Sequence, residues 1–97
     1  MPTYVVLNNY TDQGIRNIKD GPARLDATRK AIEAAGGKVL GFYLTMGRYD
    51  SVLIVEAPSD EVAAALALGA GSQGSIRTET LKAFPEAEYR KIIAALP

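Results

Sequence analysis

The chain has 97 residues, 47% of them hydrophobic and 23% charged, which describes one globular domain and excludes a disordered chain. Eleven basic residues balance eleven acidic ones, so the basic excess of a nucleic-acid binder is missing. With no cysteine and no histidine, the sequence offers no thiol nucleophile, no disulfide, no Ser-His-Asp triad and no usual zinc site.

No paired acidic cluster suggests a magnesium site, and neither a metal nor a cofactor is expected. No run approaches the roughly 18 apolar residues of a membrane span. Met1-Pro2-Thr3-Tyr4 lacks the basic head and apolar run of a signal peptide, so the expected location is the cytoplasm. Charge is mildly polarised. Residues 1–48 carry seven basic and four acidic side chains, and residues 49–97 carry four and seven.

In chain order, Tyr4 to Asn9 is β-branched and aromatic and predicts a first strand. Thr11 suits a cap for a short helical turn, Asp12 to Asn17. Gly21-Pro22 restarts the chain as a helix, with Leu25, Thr28, Ile32 and Ala35 at helical spacing and Gly36-Gly37 as its stop. Lys38 to Met46 predicts a second strand and Tyr49 to Ala57 a third, joined by a two-residue hairpin at Gly47-Arg48. After Pro58, Ser59 caps a helix with the stripe Val62, Ala65, Leu66 and Gly69. Gly71-Ser72-Gln73-Gly74 reads as a loop, and Ser75 to Phe84 as a fourth strand. Pro85 opens a last helix whose Tyr89, Ile92, Ile93 and Leu96 share one face.

The order β-α-β-β-α-β plus a C-terminal helix predicts an α+β, ferredoxin-like sandwich over residues 1–97, with a four-stranded antiparallel sheet and its first and third strands central. Those central strands do not alternate. Val5-Val6-Leu7 and Val52-Leu53-Ile54-Val55 are apolar on both faces, whereas a strand with one wet face alternates. Leaving a few hundred Å² of aliphatic sheet in water costs several kcal/mol at about 25 cal/mol per Å². The expected partner is therefore a second copy of the chain, as a homodimer or higher oligomer. No nucleic-acid or membrane partner is expected.

The runs FYLTMGRYD, IVEAPSDE and GSIRTETLKAF, with TDQGIRNIKDGPAR nearer the start, resemble the GYD-domain proteins over nearly the whole chain. The name-giving tripeptide is stretched here to Gly47-Arg48-Tyr49-Asp50. The resemblance implies a ferredoxin-like dimeric α/β barrel and implies little about activity. The second half is also similar to the effector-binding domain of leucine-responsive/AsnC-type regulators, through Gly47, Tyr49, Asp50, Gly74, Ile76, Arg77, Thr78 and Thr80. In those regulators the Gly-x-Tyr-Asp turn lies close to a pocket for amino acids. No helix-turn-helix precedes the matching region.

Several side chains are candidates for a small-molecule site. Tyr49 and Asp50, after the turn, offer a phenol and a carboxylate, although Asp50 equally suits hydrogen bonds from turn amides. Arg77 and Glu79 share a face of the fourth strand, either as a carboxylate fork or as an edge-strand ion pair. Tyr43 and Thr45 share a face of the second strand, and Tyr4, Val6, Asn8 and Tyr10 share one of the first. Polar tips such as Asn8 and Tyr43 suit a cavity between protomers, if their parity faces it. No catalytic residue is singled out.

Three functions fit these features. The first is a homo-oligomeric module that binds a small metabolite. The second is a cofactor-independent oxygenase or isomerase of the dimeric α/β-barrel group, with Asp50, Glu79 or Tyr43 as base. The third is a structural subunit whose two-sided sheet serves assembly alone.

Overall fold

In a computed structural model that describes residues 1–97, the apolar run after Pro2 forms strand β1, Thr3–Tyr10. Thr11 then caps the short helix α1, Asp12–Arg16, its Oγ1 accepting from the Gly14 amide at 3.1 Å. A 3-10 turn, Ile18–Asp20, leads into α2, Gly21–Ala34, with Pro22 in its first turn where no N–H is needed. Gly36, at φ 88°, turns the chain into β2, Lys38–Leu44. Strand β3, Ser51–Glu56, is followed by α3, Asp60–Ser72, whose cap Ser59 accepts from the Val62 amide at 3.2 Å. Strand β4, Ile76–Ala83, and helix α4, Glu86–Ala94, complete the chain.

The strands lie in the order β2-β3-β1-β4, all pairs antiparallel, so the ferredoxin-like arrangement read from the sequence is the one adopted. Register then fixes the parity that periodicity leaves open. Tyr4 pairs with Val55, Val6 with Leu53 and Asn8 with Ser51. Tyr4, Leu53, Val55 and Ala57 pack with Ile32 of α2 and Ala63 of α3 to form the core, flanked by Val6, Leu25 and Phe42. Even-numbered β1 residues therefore face the helices. Only 11 of the 97 residues are buried, a small core for a domain that must stand alone. No helix is long and apolar enough to cross a membrane.

Two local expectations need correction. The β2–β3 connection is not a two-residue hairpin, since Leu44 pairs with Ser51 and Thr45–Asp50 lie between them. Its ends are held by side chains rather than by a tight turn. Thr45 Oγ1 donates to the Tyr49 carbonyl at 2.6 Å, and the Thr45 amide donates to the Asp50 carbonyl at 2.9 Å. Gly47, at φ 122°, takes the backbone conformation that a side chain would resist. Likewise, the predicted loop from Gly71 starts later, because α3 runs through Ser72. Val62 and Leu66 of the α3 stripe reach the core, whereas a Cβ at Gly69 would meet open space.

Helix α4 leaves the edge strand after Pro85 and buries none of its residues. Tyr89, Ile92, Ile93 and Leu96 follow the i, i+3, i+4, i+7 spacing of one helical face, yet each is 45–62% exposed. The radius of gyration is 14.5 Å; a compact chain of this length has about 12.5 Å. The excess fits a helix that projects as an arm.

One half-buried contact ties the sheet to α3 and carries a pH signature. The Tyr4 hydroxyl donates to Asp60 Oδ1, and Lys82 Nζ lies 3.2 Å from the same oxygen. Burial and this carboxylate push the Tyr4 hydroxyl up to about 12 from its ordinary 10.0. The hydrogen bonds from Tyr4 and Lys82 hold Asp60 below its ordinary range. A raised tyrosine keeps its stabilising effect below pH 10 and loses it as pH rises towards 12. A lowered aspartate keeps its effect above its unfolded value of 3.8 and loses it as pH falls further. Thermal melts should therefore fall off at both ends. Tyr4→Phe should flatten the alkaline limb between pH 10 and 12, and an unchanged limb would contradict this assignment.

Candidate functional site

The face of the sheet opposite the helices carries the remaining apolar side chains of the central strands. Register places Val5 between Ile54 and Leu81, and Leu7 between Val52 and Glu79. On β2, Tyr43 stands opposite Val52 and Gly41 opposite Ile54. The result is an aliphatic patch of Val5, Leu7, Val52, Ile54 and Leu81, bordered by Tyr43 on one side and by Arg77 and Glu79 on the other. No element of the chain packs over it. A patch of this kind in water marks a binding surface.

At the β4 border the patch meets a shallow depression of about 260 Å³, lined by Leu7, Asn9, Arg77 and Glu79 of the sheet and by Arg48 and Tyr49 of the β2–β3 loop. The loop is anchored there. Tyr49 donates its hydroxyl to Glu79 Oε2 at 2.8 Å, and the Arg48 guanidinium sits 5.8 Å from the Tyr49 ring centre. The bond to Glu79, with some burial, raises the Tyr49 phenol above its ordinary value and keeps it a donor. Neither Arg48 nor Arg77 forms an ion pair; the two ion pairs of the chain are Lys82–Asp60 and Arg90–Glu86. Two free guanidiniums beside an apolar floor suit an anionic group, a carboxylate above all.

Of the side chains singled out in the sequence, Tyr49, Arg77 and Glu79 meet in this depression. Tyr43 shares the open face but stands three strand positions away from Arg77 and Glu79, with β3 and β1 between them. Asp50 is committed elsewhere. Its Oδ2 accepts from the Tyr10 amide at 2.8 Å and its own amide donates to the Asn8 carbonyl at 2.8 Å, so it pins the loop to β1. The Thr45 hydroxyl is used within the loop. Asn8 lies on the covered face, 6% exposed, donating to Ser51 Oγ at 3.1 Å, while its Oδ1 has no partner. Arg48, Asn9 and Leu7 are lining residues that the sequence reading missed. Leu7 and Asn9 share the parity of Val5, so the register alone would have found them; Arg48 belongs to a loop whose path no spacing rule gives.

The model of the GYD domain matches residues 4–93. The chain belongs to the GYD-domain family. Among curated relatives, it is 36% identical over 89 residues to the "Glutamine synthetase and cystathionine beta-lyase binding protein" of Thermus thermophilus, covering 91% of this chain and 94% of that protein. Among solved structures, it is similar to the leucine response regulatory protein LrpA of Mycobacterium tuberculosis, with a TM-score of 0.65 and 21% identity. That likeness covers 87% of this chain but spans only about half, 51%, of the regulator, and it concerns the fold alone. A second structure, that of TTHA0845 from Thermus thermophilus, gives a TM-score of 0.55 at 29% identity over 88% of this chain and 95% of that one.

Proposed function

We propose that this GYD-domain chain is a protein-binding module that works as a homo-oligomer, two copies closing their open sheet faces on each other. The observation that carries the reading is the uncovered aliphatic patch of Val5, Leu7, Val52, Ile54 and Leu81. The Thermus relative supports the wider class, since it is named for binding two enzymes, glutamine synthetase and cystathionine beta-lyase. An enzyme of amino-acid metabolism is accordingly the partner class for this chain.

Catalysis by the chain itself fits the geometry less well. A general base needs a dry, enclosed pocket. The depression is shallow and open, and its carboxylate, Glu79, stands on an exposed edge strand and already accepts from Tyr49.

Biolayer interferometry against purified glutamine synthetase and cystathionine beta-lyase tests the reading. Saturable binding to one of them, at micromolar affinity or better, is the expected result. No binding to either enzyme by an oligomeric sample would remove this partner class. A second reading rests on the free Arg48 and Arg77 guanidiniums, which suit the carboxylate of a small metabolite. Under that reading, Arg77→Ala weakens an amino-acid ligand by about 10-fold or more, as loss of a charged hydrogen bond does. Isothermal titration with the common amino acids reads it directly.

A further inference from the structure

The open sheet face offers a modest footprint for a dimer interface. Four strands about 4.8 Å apart and some six residues of about 3.3 Å each give a footprint of roughly 400 Å². A stable interface takes about 800 Å² from each partner. The chain holds two further apolar surfaces that nothing covers. One is the α4 stripe of Tyr89, Ile92 and Ile93, continued by Leu96 just past the end of the helix. The other is edge strand β2 and the start of the loop after it, where Leu40, Leu44 and the loop residue Met46 are 49%, 71% and 99% exposed. Leu40 is the residue left over at the break in register between Val39 and Gly41, so the bulge itself puts an aliphatic side chain at the edge.

These two surfaces sit at opposite edges of one sheet, α4 following β4 and the other lying along β2. Three strand spacings, about 14 Å, separate them within a chain. Stacking two open faces about a two-fold axis parallel to the strands puts the β4 edge of one copy over the β2 edge of the other. In that arrangement each arm reaches the partner's β2 edge without crossing its own sheet. The contact occurs twice, as two-fold symmetry requires.

We infer that α4 is an exchanged arm: its apolar stripe docks on the Leu40, Leu44 and Met46 edge of a second copy and completes the dimer. This rests on the face-to-face pairing proposed above. The arm adds to the area that the paired sheets bury, and it covers the sheet edge that would otherwise invite further strands. Its polar side, with the Arg90–Glu86 pair at 2.8 Å, stays in water.

The test uses the full chain and reads the two ideas separately. Ile92→Asp/Ile93→Asp changes only exposed arm positions, so the protomer folds as before and its circular dichroism checks this. Sedimentation equilibrium should show the dimer weakened about 100-fold or more, the loss expected when anchor residues of an interface are removed. In a sample mixing isotope-labelled and unlabelled copies, the Ile92 and Ile93 methyls should give intermolecular NOEs to Leu44 and Met46. A dimer of unchanged affinity in this double variant, alongside a monomeric Ile54→Arg, overturns the arm and leaves the face pairing standing. Intramolecular NOEs alone from the arm overturn it too. A wild-type chain that is monomeric throughout overturns both.

Discussion

Ile54→Arg is expected to give a folded monomer under conditions in which the wild-type chain is a dimer. Ile54 sits at the centre of the open face, between Val5 and Gly41, and touches no part of the helix-covered core. In the monomer an arginine there spreads its methylenes over the patch and keeps its guanidinium in water, at little cost. In the dimer the same group is desolvated without a partner, at about 3–5 kcal/mol. Two-fold symmetry places it in the interface twice. Association should therefore weaken by at least about 1,000-fold, with unchanged circular dichroism and no more than about 1 kcal/mol lost from the protomer. Sedimentation velocity at tens of micromolar checks this, and a dimer that survives the substitution would mean that the open face is not the interface.

Gly14→Ala should have the largest effect on the fold itself. A Cβ at Gly14 would stand 1.9 Å from the Ser75 carbonyl oxygen and 2.9 Å from its carbon. That carbonyl cannot step back freely, because it also accepts from the Thr11 amide at 3.1 Å. The Thr11 hydroxyl donates to the neighbouring Gly74 carbonyl, and Gln13 Nε2 reaches the Gln73 carbonyl at 3.4 Å. The junctions β1–α1 and α3–β4 are thus clasped backbone to backbone, with only a hydrogen's width between them. Forcing a methyl group in should cost at least about 3 kcal/mol, the upper end of overpacking. That lowers the melting temperature by about 12–24 °C for a domain of this size. Gly69→Ala is the contrasting case. It meets nothing within 4 Å inside α3, so the same change should stabilise by about 0.5–1 kcal/mol. A Gly14→Ala variant that melts within about 2 °C of wild type, well under the shift expected for overpacking, would show that the clasp is looser than its geometry.

The architecture is legible in the sequence because each element carries its own signal. Val5-Val6-Leu7 and Val52-Leu53-Ile54-Val55 are strands without alternation, and that pattern points to a sheet with two apolar faces. Thr11 and Ser59 cap the helices that their positions predict. What the pattern does not carry is phase. A run apolar on both faces leaves open which parity meets the helices, and Asn8 falls on the covered side because Tyr4 and Val6 do. The β2–β3 connection is illegible for a different reason. Gly47-Arg48 matches a two-residue turn locally, yet Asp50 gains more by accepting from the Tyr10 amide of β1, a contact 40 residues away in sequence. Tertiary hydrogen bonds of that kind leave no periodic trace. The same loop brings Arg48 and Tyr49 to Arg77 and Glu79, so the depression is legible only in part. Arg77 and Glu79 are legible as a pair because alternate strand residues share a face.

The most direct test of the central idea, that the open face closes on a second copy, is native mass spectrometry of the freshly purified 97-residue chain. The chain mass is 10.3 kDa. A species at twice that mass or a higher even multiple, persisting at low micromolar concentration, is the result this structure predicts. A clean 10.3 kDa monomer at tens of micromolar would contradict it, and both the face pairing and the exchanged arm would fall with it.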